Sequence, residues 1–479
     1  MSEKHGSLFF YTDIHRKEAI KMSFHLRGGA AAREKKLLDL TQGSIAGGIL
    51  QFAWPVFLGQ LLQQFYNMAD AWVIGNFADN DSFAAVSSGG NLTFLIIGLF
   101  GGIAMGGGVV ISRYFGAKDS ENITKAIHNN FLFGIVASVI ATLLGLFLVP
   151  QMLVWMKTPT TVLPQSLAYF RVYFGGICTV ILYNNCMAIL RALGDSMRPL
   201  YYLLISSLIN VALDLLFVAG FRWGVTGAAA ATVIAQGISV ALCLVRMFCI
   251  KDDVTRFDLH KLRFDKHIMA QILRQGLPSG IQNSVISLGN VVVQTNINSF
   301  GAFAMAGHGA QAKLEGFGFL PITAMSMSLP TFISQNVGAG KIDRAKKGAA
   351  FGIGFGVLLA ELMGVAMYAF APQLLRIFVD EPMSVEFGTV HLRTTALFFF
   401  LLAFSHCAAG TLRGLGRSTV PMVTMLSFWC GVRIVYVTVA LQFFPVFRTI
   451  SWAYPITWCL STVVYLIYLL RMDWSRGKL

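Results

Sequence analysis

Apolar runs of about 20 residues recur along almost the whole chain, and this feature narrows the possible folds more than any other. Each run is long enough to cross a hydrocarbon core about 30 Å thick as a helix. Glycines at four-residue spacing, Gly98, Gly102 and Gly106, would let such helices approach closely. Only 13% of the 479 residues are charged, about half the share of a soluble protein. The sequence therefore predicts an all-α integral membrane protein with twelve spans, at 45–76, 83–112, 126–150, 163–190, 199–221, 225–250, 269–299, 303–337, 345–371, 388–412, 420–444 and 449–471.

The Lys and Arg residues fall mostly on one side of the predicted membrane. If the N-terminus is cytoplasmic, 29 of the 37 basic residues lie on the inner side, in the tails, the loops and the span ends that border them. The opposite side holds only Lys157, Arg222, Arg376 and Arg448. By the positive-inside rule, this asymmetry predicts a multi-pass protein of the cell inner membrane with both termini in the cytoplasm. It also accounts for the net charge of +14 without nucleic acid as a partner, because the basic loops are expected to meet anionic lipids of the bilayer.

The two halves of the sequence repeat one template. The segment LRALGDSMRP at 190–199 recurs as LRGLGRSTVP at 412–421, an offset of 222 residues. In the first span of each half the offset is one residue larger, 223, so that Pro55 corresponds to Pro278. Six spans per half is an even number, so both copies enter the membrane from the same side and the repeat is parallel. Such a pair commonly encloses a cavity near the midplane, which makes a transporter the leading hypothesis.

These spans predict a two-lobed organisation. Residues 1–44 are polar and basic and are expected to form a cytosolic tail. Residues 45–250 form an N-terminal lobe of six helices, and residues 269–471 form a second, pseudo-symmetric lobe of six. Between them, 251–268 is a polar cytosolic linker that could include a short amphipathic helix on the membrane surface. Residues 472–479 form a short cytosolic C-terminal tail.

Polar side chains form a stripe on the first predicted span. At about 100° per residue, five of them fall within one arc of the helix: Gln60, Gln63, Gln64, Asn67 and Asp70. Because an ionisable group in hydrocarbon is costly, the stripe must face a cavity or other helices, and the carboxylate is a candidate for function. The alternative is that Asp70 lies near the outer end of its span and simply reaches water.

The fifth predicted span places Asn210 and Asp214 four residues apart on one face. Asp214 is the second intramembrane acid of the N-terminal half. Together with Asp70 it could share protons, or supply hard oxygen ligands to a small cation such as Na⁺. The alternative is a polar cluster that only packs helices. In the second half Val293 and Tyr436 stand opposite the two acids, which predicts that cation coupling lies mainly in the first half.

The second half carries its own charged residues within predicted spans. Glu315 and Arg433 could serve a second site or make structural contacts. Lys313 is two residues from Glu315, so the two side chains point to different sides of a helix and are not a simple pair. Three histidines are interpreted as hydrogen-bonded packing residues rather than proton relays: His308, His391 and His406. Some of the 39 phenylalanines could stack on a planar organic substrate.

Several of these segments resemble a known family. Pro55 followed by MADAWVIG, then RYFGAKD, LRALGDSMRP, NVALD and GVTGAAAATVIAQ, is similar to the motifs of the MATE (multidrug and toxic compound extrusion) transporters. The resemblance extends from about residue 44 to residue 470. It implies a V-shaped pair of six-helix lobes that exports small organic, often cationic, compounds in exchange for H⁺ or Na⁺, with no further cofactor. The acids of the first half most resemble the DinF-like branch.

The resemblance also implies roles for particular residues. The DinF-like pattern assigns cation coupling to Asp70, Asn210, Asp214 and Thr232, which would be the Na⁺ ligands if sodium is the coupling ion. It makes Pro55 the bending proline of the first span. The acid of NorM-type members in the seventh span is absent, because Gln282, Asn283, Ser284 and Ser287 stand there, and this argues against a NorM-type ion site in the second lobe. The predicted lining of the substrate cavity is Gln60, Gln63, Gln64, Asn67, Gln282, Asn283, Glu315 and Arg433.

The expected substrate is a drug, toxin or secondary metabolite, with precolibactin among the candidates, and the expected state is a monomer in the bilayer. An alternative of the same superfamily is a flippase for a lipid-linked precursor. Its pyrophosphate would need several basic groups, whereas the first lobe is acidic and rich in amides. An intramembrane enzyme is not indicated, since the sequence has no HExxH and no GxSxG motif. A channel is also disfavoured, because a continuous pore rarely needs twofold lobes with buried acids in only one of them.

Overall fold

The computed structural model describes residues 38–78, 80–155, 159–250, 255–258 and 262–476. Within these ranges the chain is almost entirely helical and contains no β-strand, as the all-α prediction requires. The predicted N-terminal tail lies outside the described residues except for its last seven.

The first half consists of seven helices in the described part of the chain. They are α1 (Ile45–Phe77), α2 (Asn80–Ala117), α3 (Ser120–Trp155), α4 (Leu163–Gly175), α5 (Ile177–Ala192), α6 (Met197–Asp214) and α7 (Gly224–Phe248). A π-helical segment, Leu215–Gly220, continues α6. Helices α4 and α5 meet at 47° and together form one broken span.

The second half repeats this order with more breaks. Its helices are α8 (Lys266–Asn298), α9 (Ala302–Gly318), α10 (Leu320–Gly338), α11 (Ile342–Ala369), α12 (Ala371–Leu375), α13 (Pro382–Ala396), α14 (Phe399–Gly414), α15 (Thr419–Met425), α16 (Arg433–Phe443) and α17 (Phe447–Arg471). The π-helical segment Leu426–Val432 joins α15 to α16. The pairs α9–α10 and α13–α14 are bent by 45° and 58°.

By length and apolar composition, eight of the described helices qualify as membrane spans, and eleven spans result when each bent pair counts as one. Helix α8 covers the predicted span 269–299 and is not among them, although it has 33 residues. Amide side chains lower its hydropathy: Gln271, Gln275, Gln282, Asn283, Asn290 and Gln294. With α8 included, the helices correspond to the twelve predicted spans, three of which are bent.

The two halves pack closely where α2 crosses α8. A Cβ atom on Gly102 would overlap the backbone of Gly280, and one on Gly106 would overlap that of Gly276. Only glycine allows backbones to come this near. Two members of the predicted glycine series therefore seal the contact between the halves. The third, Gly98, has ordinary contact distances there, with Asn283 Cβ at 3.4 Å from a Cβ on this residue.

A short turn before α1, residues 40–43, is held by the second half, and we call it the strap. Arg344 at the start of α11 donates hydrogen bonds to the carbonyl oxygens of three of its four residues, at 2.7 to 3.3 Å. Lys341 donates to the carbonyl oxygen of the fourth at 2.9 Å. This end of the bundle carries the predicted cytoplasmic loops. The strap therefore ties α1 to the second half at that end.

Of the predicted linker, 251–268, the structure describes 255–258 and 262–268. Its last three residues already belong to α8, and the other described residues are not helical. They pack on the start of α3 instead. Phe257 stacks on His128 with ring centroids 4.9 Å apart. Asn129 exchanges hydrogen bonds with the linker backbone at 2.9 and 3.2 Å. The segment that precedes the second half is thus held by the first.

Candidate ion and substrate site

Two acidic side chains meet inside the first half. Asp70 lies near the end of α1, Asp214 is the last residue of α6, and their carboxyl groups approach within hydrogen-bonding distance. Asp214 is 0% exposed, and one oxygen of each carboxyl is buried without a partner among the described residues. The Asp70 side chain therefore does not simply extend into water from the end of its helix.

Asn210 and Thr232 complete the cluster. With its amide in the orientation that satisfies its neighbours, Asn210 donates to Asp214 Oδ2 at 2.8 Å and accepts from the Thr232 backbone N–H at 3.2 Å. Thr232 Oγ1 donates to the Ala228 carbonyl oxygen at 3.1 Å, and the Tyr66 hydroxyl donates to Thr232 Oγ1 at 3.5 Å. The structure thus brings together the four residues predicted for cation coupling, which we call the carboxyl cluster: Asp70, Asn210, Asp214 and Thr232.

The chemistry of the carboxyl cluster suits a proton or a hard cation. Two carboxylates this close repel each other, so either the pair shares one proton or a cation between them balances both charges. Carboxylate, amide and hydroxyl oxygens are also the ligands that small hard cations prefer. Within the described ranges, no group of three or more His, Cys, Asp or Glu side chains is placed to hold a metal ion. A Na⁺ ion at this cluster would therefore need amide and hydroxyl oxygens as well as the two carboxylates.

A cavity of about 800 Å³ lies beside the carboxyl cluster. Helices of the first half form most of its wall, and α8 and α10 of the second half close one side. Asp70 and Thr232 line the cavity directly. Asp214 and Asn210 are not part of the lining and are fully buried. The cavity and the carboxyl cluster therefore share Asp70.

Four of the eight residues predicted to line the cavity do so: Gln60, Gln63, Asn67 and Asn283. Gln64 does not, and its amide nitrogen lies 2.9 Å from where a Cβ on Gly316 of α9 would be. Because Gln64 is one residue beyond Gln63, it is rotated by about 100° around α1 and faces the second half instead.

Gln282 is buried in the second half and does not line the cavity. Its amide oxygen accepts a hydrogen bond from Arg413 Nη2 at 3.2 Å, and its nitrogen donates to Met425 Sδ at 2.8 Å. It lies one position before Asn283, so the two side chains leave α8 in different directions. Gln282 serves as an internal partner of Arg413.

Glu315 and Arg433 also lie outside the cavity lining, within the second half. Glu315 Oε2 accepts from Gln311 Nε2 at 2.5 Å, and the carboxylate interacts electrostatically with Arg433. The guanidinium donates to Thr457 Oγ1 at 3.0 Å and stacks on the Tyr454 ring, 4.4 Å from its centroid. These residues form a separate buried polar group.

The three histidines make packing contacts, but His308 Nδ1 is buried without a hydrogen bond to any described residue, unlike the hydrogen-bonded packing residue that was predicted. His391 Nδ1 shares a hydrogen bond with Ser451 Oγ at 2.9 Å, and its ring lies edge-on to His308 with centroids 5.1 Å apart. His406 lies edge-on to Phe319 at 4.8 Å. None of the three lines the cavity.

Sequence reasoning missed ten polar or aromatic residues of the cavity wall: Tyr66, Thr93, Phe94, Tyr169, Tyr173, Tyr183, Asn184, Arg191, Gln236 and Thr331. Tyr66 is one helical turn before Asp70, so the spacing of the stripe could have identified it. The fourth span was predicted to end at residue 190, which puts Arg191 in an inner loop. The cavity reaches it because α5 extends through Ala192 before it ends.

The fifth span of each half contains a π-helical segment, which follows Asp214 in the first half and precedes Arg433 in the second. The segment Leu426–Val432 is π-helical, and such a bulge accommodates one extra residue relative to an α-helix. The buried face therefore passes through Arg433 and Val437. Tyr436, which the 222-residue offset placed opposite Asp214, is only half-buried. The true counterpart of Asp214 by position in the fold is Val437.

The sequence is similar to known proteins along most of its length. A family model described as MatE matches residues 55–216 and again residues 278–439. The chain is 28% identical to the probable multidrug resistance protein YpnP of Bacillus subtilis (strain 168) over 396 residues, 82% of this chain and 88% of that protein. It is 23% identical to the multidrug export protein MepA of Staphylococcus aureus (strain MRSA252) over 441 residues, 92% of this chain and 97% of that protein.

Solved structures share the fold. A MOP superfamily transporter from Pyrococcus furiosus superposes with a TM-score of 0.85 at 20% identity, covering 91% of this chain and 97% of that one. The outward-facing conformation of a multidrug resistance MATE family transporter gives 0.85 at 21% identity, over 91% and 98% of the two chains. The two family matches begin at Pro55 and Pro278, the pair that the internal repeat aligns. Because the family model matches both halves of the sequence, the chain belongs to the MATE family of transporters.

Proposed function

We propose that this protein is a cation-coupled antiporter that exports small organic molecules, with H⁺ or Na⁺ as the coupling ion. The observation that carries the proposal is the position of Asp70, which lines the cavity and also faces Asp214. An ion and a substrate that compete for one carboxylate exclude each other, as exchange requires. The names of the relatives, multidrug resistance and multidrug export, support drugs and toxins as the substrate class.

Each residue of the carboxyl cluster has a role in this proposal. Asp70 meets the substrate when it is free of the coupling ion and is neutralised when the ion is bound. Asp214 shares that ion with Asp70, and the Asn210 amide holds Asp214 in place through the bond to Oδ2. Thr232 supplies a hydroxyl oxygen at the edge of the cavity. Pairing and hydrogen bonding are what make buried carboxyl groups tolerable inside a membrane.

Movement of α1 would link the ion to the substrate. Pro55 lies inside α1 and cannot donate the hydrogen bond that would close the turn before it, so the helix can bend there. Gln60, Gln63 and Asn67 follow Pro55 on the same helix and line the cavity. Ion binding at Asp70 would therefore reshape the wall that contacts the substrate and release the substrate outward.

The membrane potential sets the scale of the available work. Each elementary charge that moves inward supplies about 2.3 kcal/mol per 100 mV. Since about 1.4 kcal/mol corresponds to a factor of ten, one coupling ion at 100 mV supports roughly a fiftyfold concentration ratio of a neutral substrate.

The location and partners follow from the same picture. We place the protein in the cell inner membrane, as a monomer with both termini in the cytoplasm and with no cofactor besides the coupling ion. A flippase for lipid-linked precursors is not favoured, because Arg191 is the single Lys or Arg side chain among the residues that line the described cavity. Nothing in the cavity lining singles out precolibactin among possible substrates.

Substrate-triggered ion flux in proteoliposomes tests the proposal, with pH and Na⁺ gradients imposed separately. We expect one of the two gradients to drive accumulation of a fluorescent organic cation. Asp70→Asn should abolish the drive, because an amide neither takes up a proton nor balances a Na⁺ charge. Full gradient-driven transport by the Asp70→Asn variant would contradict the assignment.

A further inference from the structure

The cavity has a second charged end, opposite the carboxyl cluster. Gly59 and Asp70 both line it and are eleven residues apart on α1, about 16 Å along the helix axis. On α5 the lining extends similarly from Val180 to Arg191. Tyr173, close to Asp70, precedes the near end of α5, and Arg191 lies at its far end. The cavity therefore runs from an acid to a guanidinium.

Arg191 has no acidic partner in the part of the chain that the structure describes. Its Nε is buried and makes no hydrogen bond, and none of the described ion pairs involves it. Tyr183 lies two turns earlier on the same helix and interacts electrostatically with Arg191. Its hydroxyl is also buried and unpartnered. Two donors on the cavity wall, one of them charged, are thus left for a ligand, because unpaired buried polar groups are costly.

The repeat explains why this guanidinium is open to the cavity. Arg413 is the counterpart of Arg191 in the second half, and its Nη2 donates to Gln282 at 3.2 Å. The counterpart of Gln282 in the first half is Gly59. Gly59 has no side chain, and a Cβ there would find Leu203 at an unstrained 3.8 Å. The position that supplies a hydrogen-bond acceptor to the arginine of the second half therefore carries no side chain in the first half.

We propose that Arg191 and Tyr183 form a subsite for an anionic group, so that the preferred substrates are amphoteric organic molecules. A carboxylate on the substrate is bound by Arg191 and Tyr183, while a cationic centre on the same molecule is held at the Asp70 end. This inference rests on the proposed export function and names the class of molecule that the cavity selects. Guanidinium groups bind carboxylates through charge-assisted hydrogen bonds, which are stronger than neutral ones.

Equilibrium binding to the full-length protein in nanodiscs tests the subsite without any ion gradient. The probes are rhodamine B, which carries a carboxylate and a delocalised cation, and its methyl ester, which keeps only the cation. We expect Arg191→Gln to weaken rhodamine B binding at least about tenfold, measured by fluorescence anisotropy, and to change ester binding less than about twofold. Arg413→Gln is the matched control and should leave the ratio of the two affinities unchanged.

Gly59→Gln provides a second test that does not remove the buried charge. It supplies Arg191 with the internal partner that Arg413 has in Gln282, and glutamine is a better helix former than glycine, so the protein should fold. We expect weaker binding of rhodamine B relative to its ester. Three outcomes would show that the subsite is wrong. The wild-type protein could fail to bind rhodamine B, both variants could weaken the binding of rhodamine B and of its ester equally, or both variants could leave the binding of the two probes unchanged. Failure of the proposed function is seen separately, as absence of substrate-triggered ion flux in proteoliposomes.

Discussion

The two halves of the molecule share one helical frame but differ where the first half holds its carboxyl cluster. Asp70 and Asp214 face each other in the first half. Their counterparts in the second half, Val293 and Val437, are buried members of one apolar cluster. A carboxyl pair can take up and release an ion, whereas a valine pair excludes ions and water. The same frame therefore carries a carboxyl pair, which our proposal makes the ion site, in only one of its two copies.

The polar residues of the second half strengthen this contrast. Arg433 takes the position that Asn210 has in the first half. Its guanidinium is enclosed by Tyr454 and Thr457 and interacts electrostatically with Glu315. A positive charge that is covalently attached cannot be exchanged. The second half thus holds a fixed cation near the place where, in our proposal, the first half accepts a mobile one.

The largest expected effect is on gradient-driven export, when a variant of Asp214 in the first half is compared with a variant of Glu315 in the second. Asp214→Asn should lower gradient-driven export by at least about tenfold, because the remaining carboxyl no longer has a partner that shares a proton or a cation. Glu315→Gln is the matched change in the second half and should lower export less than about threefold, since Glu315 does not line the cavity. Initial rates of uptake into energised proteoliposomes measure both. Equal losses in the two variants would break the contrast between the halves.

Removal of the fixed cation tests the role of the second half. Arg433→Gln should lower the free energy of unfolding by about 2 to 4 kcal/mol, because a buried cation–π contact and a charged hydrogen bond are lost. Ion coupling should persist in the protein that remains folded. Thermal unfolding in detergent gives the first quantity and substrate-triggered ion flux the second.

Tyr454→Phe is the control for this prediction, because it keeps the aromatic face under the guanidinium and should cost much less stability. Loss of ion coupling in Arg433→Gln, with stability unchanged, would mean that the second half participates in ion exchange after all.

Helical spacing made much of the first-half cluster predictable. Asn210 and Asp214 are one turn apart on α6, and a polar stripe on α1 ends at Asp70, so only their mutual approach had to be supplied by the fold. Glycines at four-residue intervals predicted a close helix contact without identifying the partner, and Gly102 and Gly106 meet the backbone of α8. Such features depend on local periodicity, which a sequence displays directly.

Other features depend on geometry that periodicity does not record. The π-helical turn before Arg433 shifts the buried face by one residue, and nothing in the spacing of apolar residues indicates it. Gln63 and Gln64 are adjacent and chemically identical, but only Gln63 faces the cavity. Arg191 was grouped with loop charges because its basic character fits the positive-inside pattern. Its place on the cavity wall depends on α5 continuing as a helix through Ala192.

The smallest predicted effect concerns the two segments that precede the first helix of each half. Arg344 of the second half holds the strap before α1 by hydrogen bonds to three carbonyl oxygens, whereas Asn129 of the first half holds the linker before α8.

Arg344→Ala should destabilise the strap by about 1 to 2 kcal/mol, because these bonds are partly exposed to water. Hydrogen–deuterium exchange of the peptide around residues 39–50 should then become roughly tenfold faster, with the linker unchanged. Asn129→Ala should do the reverse. If either variant loosened both segments together, the two ends of the halves would be one cooperative unit, and the strap could not act as a separate tie between α1 and the second half.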